Sequence, residues 1–86
     1  MLLKDAKFVG AYHFTSKKKD KDTGITTEKN WTSVCFELPS PEHSIGTIYK
    51  DLLMDRDRVP QGLKDHIGDS CIVDYMNNFC NEILFN

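Results

Sequence analysis

The chain has 86 residues, 40% of them hydrophobic, with eleven Lys and Arg against thirteen Asp and Glu and a formal charge of −2. That is chain enough for one core and too little for two, so a single domain over 1–86 is expected. The near-balanced charge argues against indiscriminate DNA or membrane binding. No stretch approaches the roughly 18 apolar residues that cross a bilayer, so no membrane partner is expected.

Charge is unevenly placed. Residues 1–29 hold seven lysines and four acids, whereas 30–86 hold four basic residues and nine acids. The molecule is therefore expected to be polarised, basic in its first third and acidic beyond. Cys35, Cys71 and Cys80 form no even framework and no C-x-x-C spacing. A secreted domain this small is usually stapled by disulfides. Free thiols, and an N-terminus (Met1–Asp5) without the apolar run of a signal peptide, point to a cytoplasmic protein.

In chain order, 6–16 reads as a strand. Phe8, Gly10, Tyr12 and Phe14 share one face by period two, and Val9, Ala11, His13 and Thr15 share the other. Gly10 inside the strand suggests a bulge or bend. Residues 17–29 are polar, contain the turn signal Asp22-Thr23-Gly24, and read as a long mobile hairpin tip. Residues 30–38 form a second strand, with Thr32, Val34, Phe36 and Leu38 on one face and Trp31, Ser33, Cys35 and Glu37 on the other.

Ser40-Pro41-Glu42 resembles a helix start, and Ile45, Ile48, Tyr49, Leu52 and Leu53 follow helical spacing. A strand over 45–49 fits only Ile45, Thr47 and Tyr49, so a helix over 41–56 is favoured, ending before Pro60. Residues 59–70 are turn-like. Residues 71–76 and 79–85 then read as strands joined at Asn77-Asn78 by a two-residue type I′ turn. The fold class is thus mainly β with some α: an antiparallel sheet or small OB-like barrel of two hairpins, with one helix between them.

Catalytic and metal chemistry find little support. His13, His43, His66 and the cysteines show no ligand pair at metal spacing. Each cysteine lies in a β-run that predicts burial. The carboxylates at Asp51, Asp55, Asp57, Asp65 and Asp69 read as a solvated face, and there is no glycine-rich phosphate loop. No cofactor is expected, and the chain is read as non-enzymatic.

The remaining constellation is the basic hairpin. Lys17, Lys18, Lys19, Lys21 and Lys29 concentrate positive charge, Tyr12 and Phe14 lead in, and Trp31 leads out. Single-stranded nucleic acid is bound by cations that track phosphates and aromatic faces that stack on bases. Trp31 is the better stacking candidate, because it lies opposite the apolar face of its own strand. Tyr12 and Phe14 share a face with Phe8 and fit a core position as well as a binding one.

On Tyr12–Lys21, Lys29–Leu38 and Ile72–Phe85 with its Asn77-Asn78 turn, the layout resembles the small barrel-type single-stranded-DNA-binding proteins of filamentous phages and mobile elements. The resemblance covers under half the chain. It implies a cytoplasmic homodimer, with Lys17, Lys18, Lys19, Lys21 and Lys29 as wing cations and Trp31 as a stacking residue. The acidic remainder and the helix over 41–56 depart from that pattern. The expected function is non-enzymatic nucleic-acid binding, to single-stranded DNA, through the lysine-rich hairpin. The alternative is a protein-binding accessory or adaptor domain of a phage or mobile element, using the acidic stretch 51–57 and the apolar end Ile83-Leu84-Phe85.

Overall fold

A computed structural model describes residues 1–39 and 45–86. It contains five strands: β1 (Leu2–Lys19), β2 (Thr26–Glu37), β3 (Tyr49–Asp55), β4 (Ser70–Met76) and β5 (Phe79–Phe85). Two short 3-10 turns, Arg56–Arg58 and Leu63–His66, connect β3 to β4.

β1 is long enough to serve two neighbours. Its first part pairs with β4 (Leu2↔Asp74 to Lys7↔Ser70), and most of its length pairs with β2 (Lys7↔Glu37 to Lys19↔Thr26). β2 pairs antiparallel with β3, and β4 with β5. Among the described residues, β3 and β5 meet in parallel through Leu53↔Phe79 alone, helped by the Leu53 N–H donating to the Asn78 carbonyl at 2.7 Å. The order β1-β2-β3-β5-β4 returns to β1. With so short a seam the strands close in a ring, not in a continuously hydrogen-bonded barrel.

The inward side chains make one core. Phe8, Val34, Phe36, Leu52, Met54, Cys71 and Val73 are buried, with Ala6, Leu63, Cys80 and Ile83 around them. Phe8 meets Phe36 and Phe85 edge-on, at 6.0 and 6.1 Å between ring centroids. Of the expected inner face of the second strand, Thr32, Val34 and Phe36 are buried, while Leu38 lies past the end of β2 and is half-buried; Ser33, expected on the outer face, is buried as well.

Four expectations change. The ladder between β1 and β2 runs out to Lys19 and Thr26, so the free loop shrinks from 17–29 to Asp20–Ile25. Asp20 organises that loop: its N–H donates to the Ile25 carbonyl, and its carboxylate accepts from the Asp22 N–H.

The sheet is mixed, not purely antiparallel, because β3 and β5 run the same way at their seam. Among the described residues there is no α-helix. Tyr49–Asp55, expected to be helical, is a strand in which Leu52 and Met54 point inward with period two. The helical spacing over these residues was a coincidence of closely set apolar side chains, and pairing with β2 decided the matter. Gly46 adds to this with φ of 76°, a left-handed conformation that stops a helix. The proposed helix start at 40–44 lies outside the described residues. The acidic stretch 51–57 of the alternative reading is therefore strand as far as Asp55 and a 3-10 turn beyond it.

Finally, the Asn77-Asn78 turn has the expected length, with Met76 paired to Phe79. Only Asn77 has positive φ, whereas a type I′ turn needs it at both central residues.

Deleting most of a buried ring from so small a core is expected to be severe. Phe36→Ala should lower stability by about 3–5 kcal/mol, read as a shift of the urea midpoint. Gly10→Ala should lower it by no more than about 0.5 kcal/mol, because a Cβ there meets nothing within 4 Å.

Candidate nucleic-acid interface

The decisive local feature is a bulge in β1. Phe8 pairs with Phe36 and Gly10 pairs with Cys35, which leaves Val9 as the extra residue. An extra residue reverses the side-chain alternation beyond it. Phe8 therefore points inward, while Tyr12 and Phe14 point outward. Tyr12 is 64% exposed and Phe14 half-buried. The bulge corrects the reading that placed Phe8, Tyr12 and Phe14 on one face.

Outward-facing residues now align across the ring. On β1 these are Tyr12, Phe14, Ser16 and Lys18, set opposite Ser33, Trp31, Lys29 and Thr27 of β2. Trp31 in turn lies opposite Asp55, and Ser33 opposite Leu53, on β3. Leu53 adjoins Phe79 of β5. Tyr12 and Phe14 have ring centroids 5.8 Å apart, as do Trp31 and Phe79. The half-buried Trp31 donates its indole N–H to Ser16 Oγ at 3.2 Å, and Lys29 Nζ stands 4.3 Å from the indole centroid. Phe79 is 46% exposed.

Of the residues expected from the sequence, Tyr12, Lys18, Lys29 and Trp31 share this outer face. Lys17 does not. It lies on the other face of the ribbon, within 3.5 Å of Glu28, in line with Thr15 bonded to Asn30 and His13 bonded to Thr32. Lys19 follows it by alternation, and Lys21 belongs to the turn. Among the described residues, no carboxylate lies within ion-pair distance of Lys18, Lys19, Lys21 or Lys29. Two acids of the ribbon are otherwise engaged, Glu28 facing Lys17 and Asp20 holding the turn, whereas Asp22 is exposed in the turn.

Sequence reasoning missed Phe79 and Arg58, and put Phe14 on the wrong side. Phe14 was recoverable from the glycine signal, had the parity change been followed through. Phe79 and Arg58 join the site only through the β3–β5 seam and the 3-10 turn, for which the sequence carries no local mark. Between them lies a shallow groove of about 380 Å³, bordered by Lys29, Trp31, Asp55, Arg58 and Phe79. Beneath it Arg56 donates to the carbonyls of Phe14 at 2.9 Å and Trp31 at 3.4 Å. That guanidinium ties the 3-10 turn to the two strands that carry the rings, and so fixes the platform from below.

Chemically this face offers flat apolar surfaces, mobile ammonium groups and, on β3, the carboxylates of Asp51 and Asp55. Among the described residues, no group of three or more His, Cys, Asp or Glu side chains is placed to hold a metal ion. No protein-family model, no curated protein and no solved structure matches the chain.

The thiols are poorly suited to nucleophilic work. All three are free. Burial, with Asp51 hydrogen-bonded beside it, pushes the Cys35 thiol up to about 11 from its ordinary 9.0. Burial does the same for Cys80, also to about 11, and raises Cys71.

The unfolded chain therefore releases these protons first as the solution becomes alkaline, and ionisation favours unfolding between about pH 9 and 11. Urea midpoints should fall from pH 8 towards pH 10. The fall should be smaller in the Cys35→Ala/Cys80→Ala double variant, and an equal fall in both proteins would contradict this assignment of the thiols.

Proposed function

We propose that this chain binds single-stranded nucleic acid, DNA in the first instance, on the outer face of β1, β2 and β3 between the basic ribbon and the β4–β5 turn. The observation that carries this reading is the gathering of Tyr12, Phe14, Trp31 and Phe79 on one solvent-facing surface beside Lys18 and Lys29. A monomeric protein has little reason to hold that many rings at its surface, since burying them in the core is favourable. A single strand gives them partners. Each unpaired base has a π-face, and base–aromatic stacking contributes about 1–3 kcal/mol per base. A duplex keeps those faces stacked on one another, so the same surface favours single strands.

We further read the ring as an open OB-type fold. Five strands, a partly open closure and a binding surface centred on the second and third strands, flanked by the first–second and fourth–fifth loops, describe that architecture. The strand order here, with β3 parallel to β5, supports the assignment. The flanking elements are the Lys19–Thr26 tip and the Asn77-Asn78 turn.

The electrostatic part follows from the same face. Lys29 covers the indole in the free protein, and its flexible stem allows the ammonium to swing onto a phosphate when a base takes its place. Lys18 and, beyond it, Lys21 of the turn extend the positive track along the ribbon. Arg58 closes the far side of the groove.

With three to four phosphates neutralised, the affinity for a fluorescent oligothymidylate should fall with salt at a log–log slope of roughly −2 to −3. Lys18→Ala/Lys29→Ala should weaken binding and flatten that slope by about 1 to 1.5. Lys17→Ala, on the other face and paired with Glu28, should change little. Tyr12→Ala, at an exposed position, should cost on the order of fivefold or more in affinity. Absence of measurable binding at ~50 mM salt, a permissive condition for a phosphate-driven interaction, would defeat the proposal.

A further inference from the structure

The groove beside Trp31 is more than a stacking platform, because it contains a carboxylate where a purely sequence-tolerant surface would place another cation. Asp55 lies opposite Trp31 in the β2–β3 ladder, on the same face as the indole. One of its oxygens, Oδ1, accepts from the Asp57 N–H at 3.1 Å, which caps the following 3-10 turn and fixes the side chain. Its second oxygen has no hydrogen-bond partner among the described residues. Phe79 stands across from the indole at 5.8 Å, and Arg58 and Asn81 complete the rim. A flat ligand resting on these rings brings its edge to a fixed acceptor.

We propose that this groove selects guanine: Trp31 and Phe79 hold one base of a bound single strand, and Asp55 accepts from that base's Watson–Crick edge. The inference rests on the single-strand reading above and names the base that its groove prefers.

The chemistry of the four bases decides between them. A carboxylate offers acceptors only. Guanine presents two adjacent donors on its Watson–Crick edge, the ring N1–H and the exocyclic N2 amine. Adenine and cytosine each present an amine next to a ring acceptor, so one hydrogen bond forms while a lone pair faces the negative oxygen. Thymine presents its N3–H between two carbonyls, the least favourable match. Unpaired bases splayed from a single strand are commonly read on this edge. The groove's cations suit the same base. Guanine carries acceptors at O6 and N7, which arginine and lysine favour, and Arg58 borders the groove opposite Lys29.

The test uses Trp31, the chain's single tryptophan, as its own reporter. Its emission is followed during titration with four short single strands: oligothymidylate, and the same strand with one central guanine, hypoxanthine or cytosine. A single guanine avoids four-stranded assemblies. The guanine strand should bind about tenfold more tightly than oligothymidylate, and hypoxanthine, which lacks the N2 amine, should lose most of that gain. Asp55→Asn keeps a capping side chain for the 3-10 turn and should erase the preference between guanine and thymine. Equal affinity for all four strands would overturn the guanine assignment and leave the single-strand reading standing. A preference that survives Asp55→Asn would overturn the role of Asp55. Failure of every strand to bind would remove both proposals together.

Discussion

The β1 side of the proposed face depends on one extra residue in that strand. Val9 has no partner in the ladder, and its insertion reverses which side of the strand faces the core. Before it, Phe8 packs against Phe36 and Phe85. After it, Ala11 and His13 turn to the inner side, and Tyr12 and Phe14 turn to solvent. Without the bulge those two rings would compete for a core already filled by Phe36, Leu52 and Met54. With it they extend the surface begun by Trp31.

The ring supplies the second constraint. β3 and β5, far apart in sequence, meet at the single parallel bridge Leu53↔Phe79, beside the Leu53–Asn78 hydrogen bond. That contact is slight in hydrogen bonds, yet it delivers Phe79 to the side of Trp31. Arg56 works from beneath, bonding to the carbonyls of Phe14 and Trp31 at the point where β3 gives way to its 3-10 turn. The platform is thus held at three places: the bulge, the seam and the guanidinium. Its cations sit on flexible stems, free to follow a backbone, while its rings sit on paired strands. That division suits a ligand whose bases need ordered surfaces and whose phosphates need only nearby charge.

Much of this was legible in the sequence, and the failures have physical causes. The alternation of Thr32, Val34 and Phe36 against Trp31 and Cys35 fixed the inner and outer faces of β2, because period two admits one reading in a half-buried strand. The two strands at the C-terminal end, and the length of their turn, were equally plain. Lys18, Lys29 and Trp31 share the outer face and Tyr12 joins them only through the bulge, whereas Lys17 was lost to the opposite face, since a charge cluster in sequence splits between faces once its residues become a strand. Tyr49–Asp55 was misread as helix because a run of apolar residues satisfies both periods, and only the partner strand arbitrates. Phe79 was invisible because its neighbour is determined by ring closure, a property of the whole topology.

The most direct test of the account is an amide chemical-shift map of the isotope-labelled protein, recorded with and without a short single-stranded oligonucleotide at low salt. The account predicts shifts concentrated at 12–18, 27–33, 53–58 and 77–81, with the core strand segment at 71–73 little changed. Shifts centred instead on the opposite side, at Val59, Leu63, Lys64 and Ile67, or scattered over the acidic remainder, would contradict it.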